Sequence, residues 1–303
     1  MKSYFSTNRV LALTIAGVAV VTIFFACKKE VTTDTAPNNQ PDNNTIAAAQ
    51  HEAAASAMYS GLFETVAEVA VTQGLFTARR ADANNALVNA VATSCPVAEL
   101  LDATNPDQWP KKVVIDFGES CLDRYGVYRS GVLNVTFSGP LFNPASTITV
   151  EPTGYKLNGK SITGLFKISG VSYSPTAGIR YTTELTGGKV VLSDTVVINY
   201  ASKRTIKQTA GFDPVAPLLN PSDDVYAVEG NASISYEKGP VTGVTATFTT
   251  QEPLVKVYDC GHFVKGKLKV EFDKVTGVVD YGNGKCTDPV TITVGDKTKQ
   301  IQL

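Results

Sequence analysis

From about Lys111 to the C-terminus, hydrophobic and polar residues alternate with a period of two. The clearest apolar series are Leu133, Val135 and Phe137; Val244, Ala246 and Phe248; Leu268, Val270 and Phe272; and Val290, Ile292 and Val294. Threonine, lysine, asparagine and glutamate occupy the positions between them. A strand that covers a core on one face only shows this alternation. The pattern therefore predicts about a dozen antiparallel strands, each with one buried face.

Turn residues separate the strand-like runs. Asn158-Gly159, Gly187-Gly188 and Gly295-Asp296 each lie between two such runs and suit tight hairpins. Because most connections are short, we predict a mainly β fold: a large antiparallel meander that forms either a sandwich or a curved open sheet. Such a sheet would offer a concave surface for an apolar or glycan ligand.

A helical period precedes the strands. Residues 45–73 combine an alanine-rich stretch with an apolar stripe at spacings of four, four and three: Met58, Leu62, Val66 and Val69. Gly74 is a suitable stop. We expect this helix to pack on the core of the β-domain, with a partner-binding amphipathic helix as the alternative. A second helical stretch is predicted over 82–92.

The first thirty residues carry an export signal. Lys2 and Arg9 precede an uncharged run over 10–26, and Cys27 follows Ala26. A basic start, an apolar run and a small residue before the cut define a secretory signal, and bacterial lipoproteins acylate a cysteine directly after the cut. We predict a lipoprotein signal peptide over 1–26 and lipidation of Cys27, whose acyl chains together would hold the protein on the membrane.

Two observations keep alternatives open for this anchor. Phe24 and Phe25 replace the leucine and the small residue that lipoprotein signals usually carry, and a run of 17 uncharged residues is just long enough for an uncleaved anchor helix.

Lys28-Lys29-Glu30 is similar to the charged signal that Bacteroidota use for surface display. We therefore predict a lipid-anchored outer-membrane protein exposed on the cell surface, with a periplasm-facing one as the alternative.

Residues 27–44 read as a flexible tether, because they contain too little apolar surface to order themselves. Asp34-Thr35-Ala36 resembles the Bacteroidota O-glycosylation signal, so Thr35 is a candidate glycosylation site. Asp194-Thr195-Val196 is a second match to the same short pattern. Beyond the tether we predict a single β-rich domain over 45–303, with an N-terminal helical segment over 45–93.

The four cysteines after Cys27 form two groups with equal spacing. Cys95 and Cys121 are 26 residues apart, and so are Cys260 and Cys286. An even number of cysteines in an exported protein indicates disulfides, and of the three pairings that four cysteines allow we favour these two local ones. The chain has no C-x-x-C pair and only two histidines, so we predict no metal site.

Two similar segments precede the second cysteine of each pair. Val114-Ile115-Asp116-Phe117-Gly118 precedes Cys121, and Val278-Val279-Asp280-Tyr281-Gly282 precedes Cys286. We interpret both as strand ends followed by an Asp/Gly turn that a disulfide holds. Calcium ligation by Asp116 and Asp280 is the alternative, although each lacks the several oxygen ligands that calcium needs.

Composition and motifs exclude several function classes. A net charge of −1 with 18% charged residues argues against a nucleic-acid partner. No Gly-x-Ser-x-Gly elbow accompanies His51 or His262, the only histidines, and no phosphate loop or cofactor motif is present. We predict a non-enzymatic binding or structural role, with a glycan, an apolar ligand or an envelope protein as partner. The alternative is a secreted glycan hydrolase that uses an Asp/Glu pair.

A string of short motifs across the mature chain resembles a family of uncharacterised Bacteroidota lipoproteins of about this length. The matching motifs are Leu62-Phe63 with Val66, Trp109-Pro110-Lys111, Ile115-Asp116-Phe117-Gly118 with Cys121, Arg129-Ser130-Gly131, Asp223-Asp224-Val225-Tyr226, Cys260, and Asp280-Tyr281-Gly282-Asn283-Gly284-Lys285-Cys286. The resemblance implies the origin and the export route, and it implies no activity.

Overall fold

The computed structural model of the chain describes residues 43–75, 95–101, 108–123, 126–212, 223–257 and 260–303. These residues form one α-helix and 14 β-strands. The bounds are α1 Asn43–Thr72, β1 Val97–Leu100, β2 Lys111–Asp116, β3 Cys121–Leu122, β4 Tyr128–Phe137, β5 Thr147–Leu157, β6 Lys160–Ser174, β7 Gly178–Ser193, β8 Val196–Ala210, β9 Val225–Lys238, β10 Thr245–Val257, β11 Lys265–Phe272, β12 Val275–Asn283, β13 Val290–Val294 and β14 Lys297–Ile301.

All the strands belong to one antiparallel sheet. Strands that follow one another along the chain pair with one another, except that β3 continues the line of β2 and pairs with β4. β1 and β14 are the two edges. The predicted antiparallel meander with an N-terminal helix is confirmed, and of its two expected forms the open sheet is the one found.

α1 ends where the sequence predicts a stop. Gly74 adopts a positive φ of 67°, a conformation that glycine reaches without steric cost. The amide of Leu75 then donates a hydrogen bond of 2.7 Å to the carbonyl of Ala70 and closes the last turn. The second predicted helical stretch, over 82–92, lies outside the described residues.

The helix packs on the sheet through its apolar stripe, as expected. Met58, Leu62, Val66 and Val69 are all buried in the core that helix and sheet share. Two aromatic residues extend the contact to the middle of the sheet. The ring of Phe63 stacks on Tyr181 of β7 at a centroid distance of 3.7 Å, and Tyr59 stacks on residues of β6 and β8.

The sheet is strongly curved on the face that carries the helix. Phe263, between β10 and β11, lies 5.5 Å from the guanidinium of Arg204 on β8 and 5.5 Å from the ring of Tyr281 on β12. The buried core extends much further across the sheet: Ile115 of β2 and Ile292 of β13 are both fully buried in the core that contains α1. In a flat sheet these strands, ten places apart in the strand order, would be about 48 Å apart, whereas a helix with its side chains is only about 10–12 Å wide. The sheet therefore curls toward the helix, so this face is concave.

Two of the three predicted hairpins are present, and the prediction of the third is wrong. Asn158-Gly159 joins β5 to β6, and Gly295-Asp296 joins β13 to β14. Gly187 and Gly188 instead lie inside β7, where its pairing with β8 shifts in register. At this bulge a Cβ on Gly164 of β6 would come within 2.6 Å of Gly188 Cα, so glycine permits a close approach of the two strands.

Both disulfides expected from the spacing are present. Cys95 is bonded to Cys121 and Cys260 to Cys286. The similar segments before Cys121 and Cys286 make the same turn: Asp116 accepts a hydrogen bond of 2.7 Å from the amide of Gly118, and Asp280 accepts one of 2.9 Å from that of Gly282. Each aspartate therefore shapes a turn at a strand end, the role that the sequence favours over calcium ligation.

Candidate functional site

Only part of the predicted site set falls within the described residues. Cys27, the predicted lipidation site, and Thr35, the candidate glycosylation site, lie outside them. Cys95–Cys121 and Cys260–Cys286 form disulfides that hold strand ends. These residues therefore identify no binding site, and the candidate site comes from the packing of α1 on the concave face.

A cavity of about 80 Å³ lies between α1 and the concave face of the sheet. A single buried water needs only about 10–15 Å³, so the space is large enough for several waters or for part of a small organic molecule. Its helix side runs from Ala53 to Glu64, a rise of about 16 Å along the helix axis. Ala57 and Ser60 are exposed and line the cavity, so they mark its opening. The cavity lining therefore follows about three turns of α1.

Most of the cavity wall is apolar or aromatic. The side chains that form this wall are Phe63, Phe166, Tyr181, Ile206, Val228 and Phe263. They come from α1, from four central strands and from the loop before β11, so the curl of the sheet assembles them. A surface of this kind favours an apolar body of a ligand over a polar one.

One end of the cavity holds a buried ion pair. Arg204 of β8 donates through Nη2 to Glu52 Oε1 of α1, and the hydroxyl of Tyr200 donates to the same oxygen at 3.2 Å. Glu52 is fully buried. Burial opposes the charge of Arg204, but Tyr200 and Glu52 outweigh it and raise the pKa of Arg204. Arg204 Nη1 is buried and has no hydrogen-bond partner among the described residues.

The other end of the cavity carries Glu64 of α1 and Lys256 of β10. Burial raises the pKa of Glu64, while the charges of Lys256 and Arg129 oppose that rise. Burial also lowers the pKa of Lys256, against the opposing effect of Glu64. Lys256 donates to the carbonyl of Cys260, and Glu64 Oε2 has no hydrogen-bond partner among the described residues.

His262 also lines the cavity. It lies in the loop between β10 and β11 and is half-buried, and burial together with the charge of Lys256 lowers its pKa. Potential ligand atoms of His262, Cys260 and Cys286 lie within 4.8 Å of one another. Because the two sulfurs form a disulfide, they offer no thiolates to a metal ion.

A second acid, Asp224, lies near Glu64, since its charge also raises the pKa of Glu64. Its carboxylate accepts hydrogen bonds from Gln208 Nε2 at 2.6 Å and from the hydroxyl of Tyr226 at 2.5 Å. Asp224 is buried and does not line the cavity. By accepting from Tyr226, Asp224 holds that side chain in the cavity wall, which is a structural role.

The sequence contains an unused signal for Arg204 and Lys256. In β8, Ile198, Tyr200, Ile206 and Gln208 face inward, and Arg204 has the same parity. In β10, Lys256 shares the parity of buried Leu254. A charge at an inward-facing position of a strand is the sequence signal that could have identified both residues. Their convergence on α1 depends on the curl of the sheet, which the alternation does not specify.

No protein-family model matches the chain, and no curated protein or solved structure is significantly similar to it. The resemblance to Bacteroidota lipoproteins therefore stays a prediction. Among the described residues, no helix has the length and apolar character needed to cross a membrane.

Proposed function

We propose that this protein is an envelope-anchored lipoprotein that binds a small, mainly apolar ligand between α1 and the concave face of its sheet, without chemical conversion. The cavity is the observation that supports this function. It combines a continuous aromatic and aliphatic wall with a few buried polar groups at its ends. Sites that bind small molecules typically have this composition, in which apolar walls supply affinity and a few polar groups supply orientation.

A glycan hydrolase receives less support from the geometry. Such an enzyme needs two carboxyl groups that face the same bond, about 5–10 Å apart. Among the described residues, Glu64 is the only acidic one that lines the cavity. Glu52 is twelve residues earlier on α1, about 18 Å along the axis, and is engaged by Arg204. Binding is therefore the function that we favour.

The binding proposal is tested by closing the cavity. The mature chain is titrated by calorimetry with 1-hexanol, a small apolar probe, and binding is compared between wild type and Ala57→Trp. Ala57 is exposed at the cavity opening, so a large side chain can occupy the opening without displacing the core. We expect Ala57→Trp to lose most of the probe binding.

Gln50→Trp is the matched control for this experiment. Gln50 is exposed on the same face of α1, two turns before Ala57, and does not line the cavity. We expect this variant to bind the probe like wild type. Equal binding by wild type and Ala57→Trp would show that the cavity is not the binding site.

The anchor is tested separately on whole cells. We propose that Cys27 carries the acyl chains and that the protein is displayed on the outer surface of the outer membrane. Cys27→Ser should move the protein from the membrane fraction into the soluble fraction, and intact mass of the wild type should show a chain that begins at an acylated Cys27. An uncleaved, unmodified N-terminus would support the anchor-helix alternative. Digestion by protease added to intact cells distinguishes surface display from the periplasm-facing alternative.

A further inference from the structure

Three side chains that can ligate a metal ion lie together, two in the loop before β11 and one in the connection between β12 and β13. The Sγ atoms of Cys260 and Cys286 and a ring nitrogen of His262 all lie within 4.8 Å of one another. The ligand atoms of a tetrahedral zinc ion are about 3.5–3.8 Å apart. While the disulfide is intact its sulfurs offer no thiolates, so this arrangement concerns the reduced form of the protein.

The disulfide of this cluster is open to a reductant on one side. Cys286 is exposed and Cys260 is buried, whereas in the other disulfide Cys121 is fully buried and Cys95 is half-buried. Exposed disulfides are the ones that exchange readily with thiols. One thiolate of a dithiol reductant attacks Cys286 Sγ and expels Cys260 as a thiolate, and the second thiolate of the reductant then releases Cys286. The reductant becomes a disulfide, and the protein takes up two electrons and two protons.

Backbone hydrogen bonds hold the cluster together independently of the disulfide. On one side, the amide of Val264 donates to the carbonyl of Val255, and the amide of Gly284 donates to the carbonyl of Val264, both at 2.9 Å. On the other side, the carboxylate of Asp288 accepts from the amide of Lys285 at 3.2 Å. The two sulfurs therefore stay near each other after reduction, and they need to separate only to about 3.8 Å to bind one zinc ion.

We propose that the reduced protein binds one zinc ion through Cys260, Cys286 and His262, with a water molecule as the fourth ligand. Thiolates and imidazole are ligands that Zn²⁺ favours, and three protein ligands with one water complete a tetrahedral site. The two thiols release their protons to solvent as the metal binds. This inference goes beyond the proposed binding function and does not depend on it.

The position of the site links it to the wall of the cavity. Gly261, His262 and Phe263 all line the cavity, and they directly follow Cys260. Reduction removes the covalent link between this loop and the connection that carries Cys286, and zinc joins the two again through its ligands. Because only the folded chain brings the three ligands together, zinc stabilises the reduced folded protein.

Metal binding by the reduced protein tests this inference. The mature chain with Cys27→Ser is treated with dithiothreitol without denaturant, and the reductant is removed under nitrogen. The protein is titrated with Co²⁺, whose thiolate charge-transfer absorption reports cysteine ligation, and then with Zn²⁺. We expect one Co²⁺ per chain, its displacement by Zn²⁺, and no binding by the oxidised protein. Alkylation and peptide mapping should show that Cys260 and Cys286 are reduced before Cys95 and Cys121.

Variants then show whether His262 is a ligand. His262→Ala removes a direct ligand and should weaken Zn²⁺ binding at least about tenfold. His51→Ala is the matched control: it removes the other histidine, whose Nδ1 is hydrogen-bonded to the hydroxyl of Tyr236 at 2.8 Å, and it should bind Zn²⁺ like its parent. Cys260→Ser combined with Cys286→Ser should bind no Zn²⁺.

Thermal unfolding gives a second readout of the same site. Zn²⁺ should raise the unfolding temperature of the reduced protein and leave that of the oxidised protein unchanged. If reduction alone unfolds the chain, Zn²⁺ should restore the circular-dichroism spectrum of the folded protein. The proposal is overturned by a reduced protein that neither binds Zn²⁺ nor gains stability from it, by tight Zn²⁺ binding that survives His262→Ala, or by reduction of the Cys95–Cys121 pair first.

Discussion

Glu52 of α1 and Arg204 of β8 form an ion pair inside the protein, although they are 152 positions apart in the sequence. Glu52 is completely buried, and Tyr200 of β8 donates a further hydrogen bond to the same carboxylate oxygen. The pair connects the N-terminal half of the helix to the middle of the sheet. It therefore holds the helix over the cavity and places Arg204 in the cavity wall at the same time.

The first prediction concerns the two partners of this pair. Glu52→Gln leaves a buried guanidinium without its counter-charge, and we expect it to lower the free energy of unfolding by about 3–5 kcal/mol. Glu52→Leu combined with Arg204→Met removes both charges. It should lower the free energy of unfolding much less than Glu52→Gln does, because no uncompensated charge remains. Urea denaturation of the three proteins measures the difference. A double variant that is as unstable as Glu52→Gln would contradict this account.

The second prediction concerns the pH dependence of stability at Glu64. Folding raises the pKa of Glu64 because of burial, so the folded state retains the proton to higher pH than the unfolded state. The raised pKa of Glu64 contributes to the stability of the folded state in full below the ordinary pKa of 4.5. This contribution is lost as pH rises through the pKa that Glu64 has in the folded state. Glu64→Gln does not ionise, so it should gain stability relative to wild type as pH increases from 4 to 8.

The measurement for Glu64 is a series of urea denaturation curves across that pH range. Glu229→Gln is the control, since Glu229 is an exposed carboxylate on β9, away from the cavity lining. Its difference from wild type should stay nearly constant with pH. A constant difference for Glu64→Gln as well would show that burial does not perturb this carboxyl group.

The third prediction concerns the disulfides. Each closes a loop with a sequence separation of 26 residues, and the chain-entropy model assigns about 3–4 kcal/mol to a loop of that length. Cys95→Ser with Cys121→Ser, and Cys260→Ser with Cys286→Ser, should therefore lower the free energy of unfolding by similar amounts. Denaturation of both double variants, without reductant, checks this. A much larger loss for one pair would mean that its removal also disturbs the folded state.

The fourth prediction concerns the glycine contact between β6 and β7. Gly164→Ala would place a Cβ within 2.6 Å of Gly188 Cα at a φ of +112°, so we expect a loss of about 2 kcal/mol or more. Gly170→Ala on the same strand is the matched comparison. Gly170 also has a positive φ but open space around its Cβ position, and it should cost only about 1 kcal/mol. Thermal unfolding measures both losses of stability. Equal losses for the two variants would contradict the role assigned to close packing at Gly164.

Much of the fold could be predicted from local pattern. The alternation in β4, β10, β11 and β13 specifies which face each strand buries, because side chains point to opposite faces in turn. The stripe of Met58, Leu62 and Val66 likewise predicts the buried side of α1. Gly187-Gly188 was the exception, since a pair of glycines has the same appearance in sequence whether it makes a hairpin or a bulge inside a strand.

By itself, the amino-acid sequence determined the elements and their buried faces, and it favoured the local pairing of the cysteines. These properties depend on residues close together in the chain. Only the tertiary structure decided that the sheet curls around α1, that Arg204 meets Glu52, and that Lys256 and Glu64 share a cavity. The curvature is a sum of small bends at bulges and glycines across many strands, and its result at distant residues cannot be read from any one of them.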